Sequence, residues 1–134
     1  MMTSRVEYLD GLRTKCTHVK SGTEIYTDAP VDNNGKGESF SPTDLVATAY
    51  GSCMLTIVGI YCEKNNIELK GATAGIVKVM GAGPRRISAL TVEVDFSMNN
   101  WSSETKEKIQ QVAEACPVAQ SVHDDMEITF KYTF

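Results

Sequence analysis

The chain of 134 residues is poor in the residues that mark several large functional classes. It has four cysteines, at 16, 53, 62 and 116, and no C-x-x-C pair. That excludes a disulfide scaffold and the doubled ligand spacing of a zinc site. It has two histidines and no G-x-S-x-G, so the usual signature of a serine hydrolase is missing. It has no G-x-x-x-x-G-K-[ST] and no G-x-G-x-x-G, so neither phosphate-cradling loop is present. It lacks excess positive charge: the net charge is −4, which argues against a general nucleic-acid binder. The first eleven residues, MMTSRVEYLDG, contain no apolar run of the secretory type, and repeats and low-complexity segments are absent. The expectation is a single folded domain over 1–134 in a reducing, cytoplasmic setting.

The mix that remains, 42% hydrophobic and 22% charged residues, suits a packed core. Arg5 to Leu9, Arg13 to Lys20 and Thr23 to Thr27 read as three strands. Asp28 to Gly37 is a loop rich in Gly, Asn and Pro. Ser41, Pro42 and Asp44 then give a helix start: an N-cap, a proline at the first helical position and an acid in the first turn. This helix is expected from Pro42 to about Lys64, and its eighteen positions from Leu45 to Cys62 carry no charge. Thr48, Gly51, Ser52, Thr56 and Gly59 make it only moderately apolar, and it lacks aromatic or basic anchors at both ends. The reading is therefore a helix buried on all sides, not a membrane span.

Ile67 to Met80 reads as a strand with Gly71 and Gly75 as bulge points, and Ile87 to Met98 as a clearly alternating one. A second helix is expected from Ser102 or Ser103, with Pro117 kinking or restarting it just after Cys116. Met126 to Phe134 is the last strand. The order predicts an α+β fold with a mostly antiparallel sheet.

Cys53 and Cys116 lie on the two core-facing helices and could approach within disulfide range, although each could equally be plain core. Nine helical steps put Cys62 opposite Cys53. Cys16 with His18, and Cys116 with His123, are isolated pairs, so no resident metal is expected. Arg5, Arg13, Arg85 and Arg86 are the cations that could hold a thiolate.

Phe40-Ser-Pro-Thr-Asp-Leu-Val-Ala-Thr-Ala-Tyr-Gly-Ser-Cys-Met54 resembles the central-helix motif of the OsmC/Ohr family, with its cysteine eleven residues after the proline. Glu114-Ala-Cys-Pro-Val-Ala119 resembles that family's second-cysteine segment. The resemblance implies an OsmC-like α+β fold, a sheet wrapped around two long helices in an intertwined homodimer. It implies thiol-dependent reduction of organic hydroperoxides, with Cys53 as peroxidatic and Cys116 as resolving thiol. A lipoyl-type dithiol would be the reductant, with no cofactor, nucleic acid or membrane involved. Arg13 best matches the family's activating arginine. The family holds that arginine with a glutamate directly after the proline, where this chain has Thr43. Asp44, one residue on, either takes that role or only caps the helix. The alternative function is a non-catalytic or weakly active stress or ligand-binding dimer of the same fold. A second copy would also help to cover a helix that is apolar on every side.

Overall fold

The computed structural model describes residues 1–134, which form two compact units, Met1–Val46 and Ala47–Phe134.

In the first unit, β1 (Ser4–Tyr8), β2 (Arg13–His18) and β3 (Glu24–Asp28) form an antiparallel meander in the order β1-β2-β3. The β1–β2 turn runs through Asp10, Gly11 and Leu12, all at positive φ. The β2–β3 register sets Arg13 directly opposite Asp28 and Cys16 opposite Ile25. A single 3-10 turn follows at Val31–Asn33. The loop then folds back on β3, with the Asp28 N–H donating to the Phe40 carbonyl (3.1 Å) and the Gly37 N–H to that of Ala29 (3.2 Å). Val6, Tyr8, Ile25 and Tyr26 are exposed, so this small sheet leaves apolar surface uncovered.

Helix α1 (Pro42–Lys64) begins at the end of this unit. Its start is a reciprocal cap. The Asp44 N–H donates to Ser41 Oγ (3.1 Å), and the Ser41 N–H donates to Asp44 Oδ2 (2.9 Å). These bonds satisfy two amides that a helix end otherwise orphans.

In the second unit, β4 (Thr73–Gly81), β5 (Arg86–Asp95) and β6 (Glu127–Thr133) form a sheet in the order β4-β5-β6. Helix α2 (Ser103–Glu114) lies between β5 and β6 in the chain. The β4–β5 pair is antiparallel and the β5–β6 pair parallel. Alternation along β5 buries Leu90, Val92 and Val94, continued by Phe96. These side chains meet Met54 and Val58 of α1 and Ile109 and Ala113 of α2 in one core. Gly51 lets α1 approach β4 closely, since a Cβ there would lie 2.6 Å from Ile76 Cδ1.

The α+β class holds, and three of the four strand pairings are antiparallel. Four details differ from expectation. First, β4 starts at Thr73 rather than Ile67, because Gly71 turns the chain at φ +55°. Second, its register shift falls at Val79/Met80, not at a glycine. Third, α2 stops at Glu114, so the second helix is short; Pro117 lies in the turn that follows. Fourth, α1 is not buried on all sides. Its buried residues are Ala47, Tyr50, Gly51, Met54, Val58 and Cys62, while Val46 and Ile60 stay 41% and 43% exposed. By length and composition α1 could cross a membrane, but its covered stripe packs in this core.

Candidate active site

Cys53 sits midway along α1 and Cys116 one residue beyond the C-cap of α2, and the two thiols are near enough for Cys53 to act on the titration of Cys116. The fold thus unites the two cysteines that the sequence singles out. Cys116 is fully buried and Cys53 only partly. Burial pushes the Cys116 thiol above its ordinary value, and the neighbouring Cys53 acts in the same direction. The backbone N–H groups of Ala119 and Val118 pull the other way. They are available because Pro117 ends α2 and starts a new turn, closed by the Gln120 N–H donating to the Cys116 carbonyl (3.2 Å). Cys116 therefore holds a proton next to Cys53, with donors already in place for the sulfur once that proton leaves.

Sequence reasoning missed two further groups beside Cys116. Burial raises the Tyr50 and Tyr132 phenols, and the charge of Glu114 acts in the same direction on both. The Tyr132 hydroxyl donates to Glu114 Oε1 (3.2 Å). The alternation of β6 already turns Tyr132 inward, but its partner lies 18 residues away on α2.

The other two cysteines have surroundings of their own. Cys62 is 2% exposed, and burial raises its thiol. Cys16 is half-buried in β2, 3.8 Å from Thr14 Oγ1. The two sequence-level metal pairs do not make sites. His18 turns to Ser21 Oγ (2.6 Å), and His123 is 76% exposed beside Asp125 while Cys116 is fully buried. No group of three His, Cys, Asp or Glu side chains is placed to hold a metal.

Arg13 opens β2. Its Nε donates to Asp28 Oδ1 (2.7 Å), and its Nη2 to Asp28 Oδ2 (2.9 Å) and Glu38 Oε2 (2.8 Å). The side chain of Asp28 is fully buried, Arg13 is about a third exposed and Glu38 is 64% exposed. The hydrogen bond from Arg13 holds the Asp28 carboxyl below its ordinary value, and Asp28 and Glu38 together raise Arg13. Asp44, by contrast, closes the helix cap.

These shifts set a stability profile. Groups with raised values lose their contribution as pH climbs past the unfolded value; groups with lowered values lose theirs as pH falls. Cys62 and Cys116 are raised from 9.0, and Asp28 and Asp95 are lowered from 3.8. The melting temperature is expected to be flat near neutrality. It should drop above pH ~9 and below pH ~4. A Tm still rising at pH 10 would contradict the buried, protonated thiols.

A family model described as "OsmC-like protein" matches residues 35–131. The structure is similar to that of a Psychrobacter arcticus protein provisionally assigned to osmotic stress induction and detoxification response. The identity is 46% over 99% of this chain and 96% of that one, with a TM-score of 0.94. It also resembles an organic hydroperoxide resistance protein OsmC from Legionella pneumophila (14% identity, 100% and 98% coverage, TM-score 0.78). A third neighbour is the organic hydroperoxide resistance protein OhrB of Bacillus subtilis (16% identity, 98% of both chains, TM-score 0.67). At those identities the last two speak for the fold. No curated protein matches the chain. The family match over most of the sequence, and the near-complete superposition on a 46%-identical relative, place this chain in the OsmC-like family.

Proposed function

We propose that this protein is a cysteine-based hydroperoxide reductase of oxidative-stress defence, working in the cytoplasm as a homodimer. The observation that carries the reading is the pairing of Cys53 and Cys116 as interacting thiols, one partly accessible and one sealed in the core. The Cys53 thiolate attacks the terminal oxygen of an organic hydroperoxide. An S–O bond forms, the O–O bond breaks, and the leaving alkoxide takes a proton to become an alcohol. The resulting sulfenic acid condenses with the Cys116 thiol, forming a disulfide and releasing water. A lipoyl-type dithiol then reduces the disulfide by two exchange steps and leaves as its own cyclic disulfide. The family resemblance assigns Arg13 as the cation that such a thiol needs. Asp44 fixes the start of the helix that carries Cys53.

The homodimer rests on uncovered apolar surface. Val46 and Ile60 of α1, and Val6, Tyr8, Ile25 and Tyr26 of the first sheet, are exposed in the single chain, and a second copy would bury such surfaces. The names of the Legionella and Bacillus neighbours point to the same substrate class. One observation favours the alternative of a ligand-binding dimer without turnover: both Asp28 and Glu38 occupy Arg13.

Adding one equivalent of cumene hydroperoxide to the reduced protein and counting thiols separates the readings. The reductase loses two thiols per chain, restored by dihydrolipoic acid. A chain that keeps all four thiols at neutral pH is not a reductase.

A further inference from the structure

We propose that Tyr132 and Glu114 form the route by which the Cys116 proton leaves when the disulfide closes. The proposal rests on the reductase reading and deepens its second step, the condensation of Cys116 with the Cys53 sulfenic acid.

The first argument is the isolation of the thiol. Cys116 is sealed in the core, and burial makes it keep its proton at neutral pH. The thiolate is the nucleophile, so the condensation needs a group that takes that proton. The flanking residues Ala113, Ala115, Pro117, Val118 and Ala119 carry no side chain that can. Strand β5 turns Leu90, Val92 and Val94 into the same core, and these do not titrate. Helix α1 brings Tyr50 and Cys53 to it.

The second argument is the pair that the fold does supply. Glu114 is the last residue of α2, two positions before Cys116. The alternation of β6 turns Tyr132 inward, where it packs against the buried cluster that contains Cys116. Its hydroxyl donates to Glu114 Oε1 (3.2 Å). Burial raises the Tyr132 phenol, Glu114 adds to the rise, and a thiolate at Cys116 adds further. Of the two phenols, only Tyr132 is hydrogen-bonded to a carboxylate. A hydroxyl both donates and accepts, so it can hand a proton on without holding a charge.

The third argument is the position of the acid. A carboxylate at the C-terminal end of a helix opposes the helix dipole, and α2 has no base in its last turn to compensate. Helix stability does not account for Glu114 there; its bond to Tyr132 does. The groups also form a gradient, from a sealed thiol through a half-buried phenol to an exposed carboxylate that exchanges protons with water.

The step balances. The Cys116 S–H bond breaks as its proton passes to Tyr132 Oη, while the proton already on Tyr132 passes to Glu114 Oε1. The freed sulfur attacks the Cys53 sulfur, the S–S bond forms, and the S–O bond of the sulfenic acid breaks. The departing hydroxide takes a proton from solvent and becomes water, and Glu114 returns its proton to solvent. Cys116 is oxidised and the sulfenic sulfur reduced, with no further oxidant.

The test uses the full chain, one equivalent of cumene hydroperoxide and rapid acid quenching, read by intact mass. The first phase is the gain of one oxygen and the second its conversion to the disulfide. Glu114→Gln keeps an acceptor for Tyr132 but takes up no proton. Its second phase at pH 7 should slow about a hundredfold, with the first phase at the wild-type rate. Tyr132→Phe should slow the second phase equally, and the double variant no more than either single one, because the two act in series. From pH 7 to 8.5 the second phase of Glu114→Gln should recover about tenfold per pH unit, as solvent hydroxide ionises the thiol directly. A wild-type second phase in Glu114→Gln overturns the proposal. So do losses that multiply in the double variant, slowing of both phases together, or a loss that no rise in pH restores. If Tyr132→Phe does not fold, Glu114→Gln and its pH profile decide. Failure of the reductase reading looks different: wild type then gains no oxygen and loses no thiols.

Discussion

Cys53→Ser protein consumes no organic hydroperoxide beyond the rate of the reagents in buffer, a fall of more than about a thousandfold. A serine hydroxyl at the same point on α1 is a far weaker nucleophile than a thiolate, and no other cysteine can stand in for it. Cys62 is buried in the core, and Cys16 lies on β2. Cys116 is sealed at 0% exposure. Cys116→Ala is the informative counterpart. It should still react once, gaining the mass of one oxygen on Cys53, and then stall or over-oxidise, because no thiol is left to condense with the sulfenic acid. Intact-mass spectrometry after one equivalent of hydroperoxide distinguishes the two variants. Sustained turnover by Cys53→Ser would end the proposed mechanism, and turnover by Cys116→Ala at the wild-type rate would remove Cys116 from it.

The largest expected effect on stability belongs to Phe96→Ala. Phe96 is 1% exposed and is the hub of an aromatic cluster, with ring centroids 5.2 Å from Trp101, 5.9 Å from Phe134 and 6.4 Å from Tyr132. The cluster fills the ground where β5 ends, α2 approaches and β6 runs alongside. Its polar edges are also satisfied: the Phe96 N–H donates to the Thr133 carbonyl (2.7 Å), and Trp101 Nε1 donates to the Glu68 carbonyl (3.1 Å). Removing the ring leaves a cavity whose walls belong to three elements and cannot all relax into it. The cost should be about 3–5 kcal/mol, a large share of a typical domain's stability. Urea titration should show a lower midpoint with an unchanged slope. A loss under about 1 kcal/mol would mean that the cluster packs far more loosely than its ring distances indicate.

Local patterns carried most of the fold. Pro42 after Ser41 placed the start of α1, and the strict alternation from Leu90 to Phe96 placed β5, because in both cases the signal lies within a few residues. The pattern misled at Ile67 and Leu69, which alternate like a strand. The backbone there finds non-ladder partners instead: the Ile67 N–H donates to the Cys62 carbonyl (2.9 Å), Trp101 Nε1 donates to the Glu68 carbonyl (3.1 Å), and Asn99 accepts from the Lys70 N–H (2.7 Å) and donates to its carbonyl (2.9 Å). The parallel pairing of β6 was also out of reach, since alternation reports which face is buried and not the direction of the neighbour. The candidate site divides the same way. Cys53 and Cys116 stand in recognisable local motifs. The partners of Arg13 are 15 and 25 residues away, and only the sheet register and the returning loop bring them in. The apparent gap at Thr43 therefore said little about whether an acid reaches Arg13.

The placement of the two cysteines on α1 and just past α2 has a consequence for the order of events in the life of the chain. Cys53 and Cys116 are 63 residues apart, and everything from β4 through α2 must be in place before they meet. A chain still folding carries single, unpaired thiols, and peroxide would oxidise them without a partner to rescue them. Once the pair is oxidised, the bond closes that loop and withdraws about 4 kcal/mol of freedom from the unfolded chain. Folding and reduction then become linked equilibria: whatever tightens the docking of α2 on α1 makes the disulfide harder to reduce, and whatever loosens it makes the reductant's work easier.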